Sequence, residues 1–467
     1  MAFAIGQNCC NDTSCLSVCP VNCIHPTESE PEFGHTDQLY VDPRTCIDCG
    51  ACADACPVDA VMPVTALPPA QASYAQVNAE WFSDRPAVVA WDPPRFPRAG
   101  TTGVGALRVA VVGTGPAASY AAQELLRAAP VSVTFFDRLD VAGGLVRFGV
   151  APDHVGTRRI GAHFAHLYRH PRVTMRLGTE LGRDVTPASL AAEFDAVVYA
   201  VGAGADRGLD VPGAELPGVR TAREFVGWYN DHPDAPDDLH LGDTRRVVVI
   251  GNGNVALDAA RILLSEPAGL SGTEIAPRAL EALRSGGPVE VVVVGRRGPE
   301  HARYTRGELE ALRHLPGVEL GLDGHGGAAD AVRDAAPGSH AALLQGLPVL
   351  DEGDLARPPS GRRRLVLSFG RVPAAFLGSE RVEAVRFTDE LGGDGGDVPA
   401  ELVLVATGLR GAPVEGLPFD PETATVPSDR GRVRDDDGTP RPGAYVVGWI
   451  KRGASGGIGT NRLDAVE

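Results

Sequence analysis

Short apolar runs recur along the chain, and two of them are followed by the same kind of glycine turn. Leu107-Arg-Val-Ala-Val-Val leads into Gly113-Thr-Gly-Pro-Ala-Ala, and Arg246-Val-Val-Val-Ile leads into Gly251-Asn-Gly-Asn. A continuous apolar run bounded by turn residues predicts a strand buried on both faces. The stretches after both turns have the spacing of amphipathic helices. The pattern therefore predicts an α/β fold with two similar strand–turn–helix units.

The rest of the pattern adds strands and a helical excursion around these two units. Residues 363–369 and 381–387 alternate between polar and apolar positions, which predicts exposed antiparallel strands. An apolar run at 402–405 predicts a strand that returns to the first unit. Residues 265–288 are expected to form a helical insert.

Charge and length exclude several function classes. The formal net charge of -17 argues against a nucleic-acid partner, because a protein that neutralises phosphates is normally basic. The 467 residues contain no apolar run long enough for a membrane span, and the N-terminus lacks the features of a signal peptide. We therefore expect two or three domains and a cytoplasmic location.

All nine cysteines lie within the first 56 residues. A disulfide-stapled fold would spread its cysteines along the chain, so this clustering favours a metal site. The downstream motif has the C-x2-C-x2-C-x3-C-P spacing of bacterial ferredoxins, in which the fourth cysteine serves the other cluster. Its cysteines are Cys46, Cys49, Cys52 and Cys56. The alternative interpretation is a zinc knuckle.

The upstream motif is incomplete, because Asp12 stands where a second cysteine is expected. The crossing rule assigns a [4Fe-4S] cluster, which we call the second cluster, to four thiols: Cys19, Cys46, Cys49 and Cys52. It assigns the other cluster, which we call the first cluster, to Cys9, Cys15 and Cys56. That cluster is either [3Fe-4S] or a [4Fe-4S] cluster with Asp12 as an oxygen ligand. Cys10 is an adjacent alternative to Cys9, and Cys23 is expected to be a small buried apolar residue.

Prolines and glycines punctuate residues 66–105, which predicts a linker. Four aromatic residues within it are unusual for a solvated tether: Tyr74, Trp81, Phe82 and Trp91. We expect them to pack on one of the domains, because aromatic side chains mostly bury area. The alternative is that they hold the cysteine-rich part near a flavin.

The two glycine turns have the features of dinucleotide sites. They differ in the residues at the end of the strand that follows each turn. Gly113, Gly115 and Ala118 fit G-x-G-x-x-G/A, with Ala117 in the same turn. The next strand ends at Asp137. This acid lies at about the sequence distance from the turn that is expected for a residue contacting a ribose hydroxyl. The matching strand of the second unit ends instead at two guanidinium groups, Arg296 and Arg297, which suit a 2′-phosphate. An ordinary βαβ turn and a solvated basic pair are the alternative interpretations.

The run Gly143-Gly-Leu-Val-Arg-Phe-Gly-Val-Ala-Pro-Asp-His makes the resemblance specific. It is similar to the adrenodoxin reductase-type ferredoxin–NADP reductase family, and this similarity covers about 107–467. Residues 3–62 resemble a seven-iron bacterial ferredoxin, although the gap between Cys9 and Cys15 is shorter. Together they resemble the fused ferredoxin/ferredoxin–NADP reductases of actinobacteria, a family that continues beyond the position of Glu467.

The resemblance implies which residues bind the two dinucleotides. FAD would be contacted by the first turn, Asp137 and a further set: Leu145, Leu181, Trp449, Gly456, Gly457 and Ile458. NADP would be contacted by Gly251 and Gly253 and by a further set: Arg207, Asn254, Val255, Ala256, Leu257, Arg296, Arg297, Glu308 and Gly456. His154 and Glu308 are the candidate catalytic residues, and from the residues alone His154 is either a proton carrier or a loop histidine with satisfied hydrogen bonds. The family often has a second acid where this chain has Ala311. The alternative interpretation of Trp449 is that it is a buried core residue and not a contact of FAD.

The resemblance also implies the domains and the reaction. Residues 1–65 form a ferredoxin-like iron–sulfur domain, 106–205 with 405–467 form an FAD-binding domain, and 206–404 form an inserted NADP-binding domain. NADPH and FAD would exchange a hydride, and single electrons would pass to the clusters, to an external ferredoxin or to another acceptor such as a cytochrome P450 system. The alternatives are an electron-transfer subunit like that of glutamate synthase and a non-enzymatic redox sensor or carrier.

Overall fold

The computed structural model describes residues 2–91, 106–351, 353–357, 359 and 361–467. The chain divides into two compact units. The first unit comprises Met1–Val150, His154–Ala205 and Leu409–Glu467, and the second comprises Ala151–Asp153 and Asp206–Gly408. Within the described part of the chain, none of the helices has the length and apolar character that crossing a bilayer requires.

The N-terminal part of the first unit, residues 2–82, is called the cysteine module. Its strands and helices are β1 Phe3–Ile5, α1 Ser14–Val18, β2 Ile24–His25, β3 Tyr40–Val41, α2 Ala51–Ala55, β4 Val61–Pro63 and α3 Tyr74–Trp81. β1 pairs antiparallel with β4, and β2 pairs antiparallel with β3. α1 and α2 lie next to each other and carry Cys15 and Cys52.

The start of the expected linker is folded onto the cysteine module. The buried Asn78 of α3 accepts hydrogen bonds from the N–H groups of Ile5 and Val41, at 3.1 and 2.8 Å, and donates to the Ile5 carbonyl. One amide thus ties α3, whose residues 74–81 contain no proline or glycine, to two strands of the cysteine module. The second half of the expected linker, residues 92–105, lies outside the described residues.

Three of the four aromatic residues of the expected linker pack on the cysteine module. Tyr74 and Phe82 are buried, and Trp81 stacks on Tyr40 with ring centroids 5.2 Å apart. Their expected packing on a domain is confirmed. Trp91 is 72% exposed, so it does not share this packing.

The first of the two strand–turn–helix segments belongs to a parallel sheet in the first compact unit of the chain. The elements of this part are β5 Leu107–Val112, α4 Pro116–Ala128, β6 Val131–Phe136, α5 Leu145–Phe148, α6 Val155–Arg158, α7 Ile160–Tyr168, β7 Val173–Arg176, α8 Pro187–Glu193, β8 Ala196–Tyr199 and β9 Ala205–Asp206. β5 lies between β8 and β6, parallel to both. Its residues 109–112 are buried, as the continuous apolar run predicts.

The second unit is built on a seven-stranded parallel sheet and a three-stranded antiparallel one. Its elements are β10 Val219–Thr221, α9 Ala222–Tyr229, β11 Arg246–Ile250, α10 Asn254–Leu264, α11 Pro267–Leu270, α12 Pro277–Ser285, β12 Glu290–Gly295, α13 Arg306–Arg313, β13 Glu319–Asp323, α14 Ala328–Arg333, β14 Val349–Leu350, β15 Arg364–Phe369, β16 Val372–Leu377, β17 Ala384–Thr388, β18 Asp394–Pro399 and β19 Leu402–Val405. The parallel order is β10-β19-β11-β12-β15-β13-β14. The helices α11 and α12 form the expected helical insert.

Two strand predictions in the second unit need correction. Residues 364–369 form a parallel strand, because β15 lies between β12 and β13 and is buried rather than exposed. The alternation was misleading because its polar position Ser368 is fully buried, where its hydroxyl donates to Asp323 at 2.6 Å. β19 pairs with β11 and β10 of the second unit, so it does not return to the first unit. The expectation for 381–387 is confirmed in β17, which is antiparallel to β16 and β18.

The C-terminal segment completes the first unit. Its elements are β20 Leu409–Arg410, β21 Ser428–Asp429, β22 Arg432–Arg434, β23 Pro440–Val446, α15 Trp449–Arg452 and α16 Thr460–Val466. β23 pairs in parallel with β8, which gives the order β21-β22-β23-β8-β5-β6-β7. α16 packs against α4. The glycine-rich run 453–459 is therefore held beside the helix that follows the first turn.

Candidate functional site

The first glycine of each turn is required by the fold itself. Gly113 has φ +104°, and a Cβ there would lie 2.4 Å from the carbonyl oxygen of Ala200. Gly251 has φ +125°, and its Cβ would lie 2.3 Å from the carbonyl oxygen of Ala406. Only glycine tolerates both the left-handed backbone and such a close approach. The two units thus make the same tight turn in two separate sheets.

The second glycine of each turn faces open space. Among the described residues, a Cβ at Gly115 would meet nothing within 4 Å, and one at Gly253 would meet only Arg303, at 4.0 Å. The protein's own packing therefore does not require these two glycines. Each comes directly before a long helix, α4 or α10, whose first N–H groups and dipole favour an anion. Room for a pyrophosphate to approach the backbone explains both positions.

Asp137 lies at the end of β6, beside the first turn. Its carboxylate accepts hydrogen bonds from the Thr114 hydroxyl at 2.6 Å and from the Leu139 N–H at 3.0 Å. Thr114 also accepts from the Gly143 N–H at 3.1 Å. The acid is therefore oriented by the turn and by the glycine loop that follows β6, as a residue that binds a ribose must be.

The arginine pair lies at the corresponding strand end of the second unit. Arg296 is exposed and Arg297 is half-buried, directly after β12. Within the described part of the chain, neither guanidinium forms an ion pair with a carboxylate. Two unneutralised guanidinium groups at the edge of a dinucleotide site provide a binding place for a phosphate.

The other predicted NADP residues differ in what their side chains can do. Ala256 and Leu257 are fully buried in the core of the second unit, whereas Val255 is 48% exposed. The side-chain oxygen of Asn254 accepts from the Thr305 N–H at 2.7 Å, which ties α10 to the start of α13. Arg207 is exposed, and its N–H donates to the Gly408 carbonyl at 2.9 Å. The turn and Arg207 therefore offer exposed groups, while Ala256 and Leu257 support the helix.

Glu308 belongs to a buried ion cluster that sequence reasoning missed. Arg261, only 4% exposed, donates to Glu308 at 2.9 Å, to Asp258 at 2.7 Å and to Asp153 through two nitrogens at 2.7 and 3.1 Å. Burial opposes the charge of Arg261, but the three carboxylates raise its pKa well above the usual value. The signal was the Asp258/Arg261 spacing of i, i+3 on α10. Glu308 is thus a held carboxylate rather than an isolated one.

Three predicted residues of the first unit lie around its glycine loops. His154 is half-buried at the N-terminal end of α6, and Leu145, 41% exposed, opens α5. Leu181 is half-buried beside the sheet core. An exposed leucine next to a glycine loop is available to a ligand.

Side chains of the C-terminal segment organise its glycine run. The indole N–H of Trp449 donates to the Gly456 carbonyl at 3.3 Å, and the buried Asn461 donates to the carbonyls of Gly457 and Ile458, both at 3.0 Å. Gly456 and Gly457 remain exposed. The backbone that is expected to contact FAD is therefore rigidly held yet accessible.

The two cysteine motifs are structural repeats with an offset of 37 residues. Left-handed backbone occurs at Asn11, Thr13 and Asn22 and again at Asp48, Gly50 and Asp59. α1 and α2 are related by the same offset. The repeat pairs each upstream position with a downstream one: Cys9 with Cys46, Asp12 with Cys49, Cys15 with Cys52, and Cys19 with Cys56. Asp12 thus occupies the place of a cysteine, and Cys9 rather than Cys10 matches the first ligand position.

The thiols also group by proximity. Burial, followed by the charges of Cys9, Asp12 and Cys56, raises the pKa of Cys15 well above its usual value. Burial and then a second group of neighbouring thiols raise the pKa of Cys52 to about 12: Cys19, Cys46 and Cys49. Most of these neighbours belong to the same expected ligand set as the thiol that they affect, although Cys52 also acts on Cys15. Thiols brought together in this way favour a shared metal cluster, since metal binding removes their protons.

Cys23 lies closer to Cys19 and Cys46, two expected ligands of the second cluster, than its expected role as an isolated apolar residue suggests. Its sulfur is 3.5 Å from the Cys19 sulfur, and hydrogen bonding by Cys23 lowers the pKa of Cys19 to about 6 and of Cys46 to about 5. It is buried, as expected. Cys23 therefore stabilises the thiolate form of two expected ligands.

The repeat makes a prediction about Cys9 and its neighbour Cys10. Replacing Cys9 with alanine will remove the first cluster, because it deletes one of the ligands. Cys10→Ala is the matched control and will retain the iron. Iron content per chain and the visible spectrum measure the difference; equal iron loss in both variants would contradict the assignment.

Two family models match the chain. A 4Fe-4S dicluster domain matches residues 8–60, and a pyridine nucleotide-disulphide oxidoreductase domain matches residues 107–285. The first covers both cysteine motifs, and the second covers both glycine turns.

Similar proteins match almost the whole chain. The probable ferredoxin/ferredoxin–NADP reductase of Mycobacterium tuberculosis is 45% identical over 476 aligned positions, which cover 99% of this chain and 82% of the relative. The mitochondrial NADPH:adrenodoxin oxidoreductase of Bos taurus is 39% identical and covers 77% of this chain and 76% of its own length. The structure of M. tuberculosis FprA in complex with NADPH has a TM-score of 0.68 and 40% identity, covering 77% of this chain and 82% of that one.

These similarities confirm the expected α/β Rossmann-type fold, the N-terminal ferredoxin domain, and the cofactors FAD, NADP and a [4Fe-4S] cluster. The type of the first cluster and the individual site residues stay predictions. The chain belongs to the ferredoxin/ferredoxin–NADP reductase family, oxidoreductases that transfer electrons between NADPH and ferredoxin.

Proposed function

We propose that this chain is a self-contained electron-transfer enzyme in which the fused cysteine module is the first acceptor of the electrons taken from NADPH. The first glycine turn, with Asp137, binds FAD, and the second turn, with Arg296 and Arg297, binds NADPH. When bound, FAD exchanges a two-electron hydride for single electrons, which iron–sulfur clusters accept one at a time. An external ferredoxin or another acceptor, such as a cytochrome P450 system, then receives them.

The observation that carries this proposal is the open space at Gly115 and Gly253. A Cβ at either position would approach no atom of the described residues closer than 4.0 Å, so the two glycines leave room for two ligands. The oriented acid in one unit, and the guanidinium groups in the other that pair with no carboxylate of the described residues, then distinguish a ribose hydroxyl from a 2′-phosphate.

The chain's own residues bind and orient rather than form covalent bonds. Trp449 and Asn461 hold the exposed Gly456–Ile458 backbone against which the flavin ring would lie. His154 is the proposed proton carrier. Glu308 is proposed to contact the nucleotide while Arg261 fixes its carboxylate. Alignment of the two rings provides much of the rate enhancement, because it replaces a bimolecular encounter.

Removing the second cluster separates this proposal from simpler ones. In Cys49→Ala, NADPH-dependent reduction of ferricyanide will persist, because a small oxidant can take electrons at the flavin. Reduction of cytochrome c will fall at least roughly tenfold, because the tethered acceptor no longer acts at high effective concentration. Steady-state assays with both oxidants measure the split. If the rates with both oxidants were the same in the variant and in the wild type, the second cluster would not lie on the electron path to cytochrome c.

The two alternative functions make different predictions. A redox sensor would show no NADPH turnover with any oxidant, and a synthase subunit would co-purify with a large partner chain. The open space at Gly115 and Gly253 and the arginine pair, which forms no ion pair among the described residues, support turnover of NADPH. We also propose a cytoplasmic location, since a reducing compartment keeps nine clustered cysteines free of disulfides.

A further inference from the structure

The cysteine module is bonded to the C-terminal helix of its own unit at the first-cluster motif. The Gly459 N–H donates to the Cys10 carbonyl at 2.8 Å, and a Cβ at Gly459 would lie 2.1 Å from the Asn11 carbonyl. Arg462 of α16 donates to the Asp12 carbonyl at 2.6 Å and to the Ser14 hydroxyl at 2.9 Å. These bonds reach the backbone at Cys10 and Asp12 and the side chain of Ser14. The first-cluster motif is therefore held directly against the segment that is expected to cover the flavin.

A shared apolar core lies behind this contact. Cys10 and Cys15 are buried in one cluster with Tyr120 of α4 and with Phe164 of α7. The rings of Tyr120 and Phe164 meet edge to face, with centroids 5.1 Å apart. Aromatic side chains of the FAD-binding part thus form one wall of the first-cluster region.

Tyr120 brings an unsatisfied hydroxyl into this wall. The residue is only 3% exposed, and among the residues that the structure describes its hydroxyl has no hydrogen-bond partner. The titratable groups whose charges act on it belong to Cys10 and Asp12 of the first-cluster motif and to Arg462 of α16, which donates to that motif. A buried hydroxyl without a partner is costly, so such a group normally serves a ligand, a water or an ion.

We propose that the Tyr120 hydroxyl donates a hydrogen bond to a sulfur of the first cluster, so that the FAD-binding part of the chain tunes the reduction potential of the fused ferredoxin module. This inference rests on the proposed function, because it requires the first cluster to be present. A phenol is a donor at neutral pH, and cluster sulfides and cysteine sulfurs are acceptors. Hydrogen bonds to the sulfurs are among the features that set the potential of an iron–sulfur cluster.

The test uses the full-length holoprotein with both clusters and FAD bound. In Tyr120→Phe, the midpoint potential of the first cluster will shift to a more negative value, because the reduced, more negatively charged cluster loses a donor. The potential of the second cluster will stay unchanged. Redox titration followed by EPR resolves the two clusters. An unchanged first-cluster potential would overturn the proposal.

A second substitution moves the potential in the opposite direction without removing the side chain. Incorporation of 3-fluorotyrosine at position 120 makes the phenol a stronger donor and will shift the first-cluster potential to a more positive value. Pulsed EPR of the wild type after exchange into D2O will show a deuteron coupled to the first cluster, and Tyr120→Phe will lack it. The same deuteron signal in both proteins would assign the donor to another group and contradict the proposal.

Controls separate a failure of this inference from a failure of the proposed function. Tyr445→Phe, on β23 of the same unit, removes a half-buried phenol from a different core and will leave both potentials unchanged. Iron analysis of the wild type shows whether the first cluster is present at all. Iron for only one cluster would contradict the function proposed for the module, whereas two clusters with unshifted potentials would contradict only the role of Tyr120.

Discussion

Replacing both Arg296 and Arg297 with alanine will raise the Kd for NADPH roughly 100-fold or more and leave the Kd for NADH nearly unchanged. A hydrogen bond to a charged group contributes about 1.5–3 kcal/mol, and each 1.4 kcal/mol corresponds to about tenfold in affinity. Within the described residues neither arginine is paired with a carboxylate, so both would contribute to binding the 2′-phosphate. NADH lacks that phosphate, so its binding does not depend on the two arginines and its Kd stays nearly unchanged.

The measurement is equilibrium titration of the oxidised holoprotein with each nucleotide, at two salt concentrations. Arg362→Ala is the matched control, because Arg362 is an exposed arginine of the same unit that pairs with Glu319. It will leave both Kd values unchanged. A parallel loss of NADPH and NADH affinity in the double variant would mean that the arginines support the fold rather than recognise the phosphate.

Replacing Arg261 with methionine will destabilise the second unit by about 3–5 kcal/mol, since breaking a buried ion pair leaves uncompensated charge. Arg261 is the shared partner of Asp153, Asp258 and Glu308, whose side chains are only 22%, 15% and 12% exposed. Methionine keeps most of the volume, so the loss measures charge compensation rather than a cavity.

Hydrogen–deuterium exchange of peptides from β11 and β12 measures the opening free energy of the second unit without requiring two-state unfolding of the whole chain. Arg333→Met is the control. Arg333 pairs with Asp330 at i, i+3, but both side chains are about two-thirds exposed, and such pairs contribute about 0–1 kcal/mol. Similar exchange in the Arg261 and Arg333 variants would show that the cluster is not a net source of stability.

The sequence alone determined the parts of this protein that depend on local spacing. The cysteine intervals predicted an iron–sulfur module, and the glycine turns after apolar strands predicted two dinucleotide sites in an α/β fold. Arg296 and Arg297 were found because a strand end places them in a known position relative to the turn. These features were readable because each one is built from neighbouring residues whose geometry follows from the backbone.

The tertiary structure decided the features that join distant parts of the chain. Asn78 fixes α3 to the cysteine module by accepting hydrogen bonds from the N–H groups of Ile5 and Val41, which are distant from it in sequence. β15 lies inside a parallel sheet, where Ser368 is buried and donates to Asp323. The polar–apolar alternation of this strand did not indicate a buried position. Arg261 and Tyr120 acquired their environments only when separate segments packed together. Burial and the absence or presence of a partner are properties of that packing, so no local pattern reveals them.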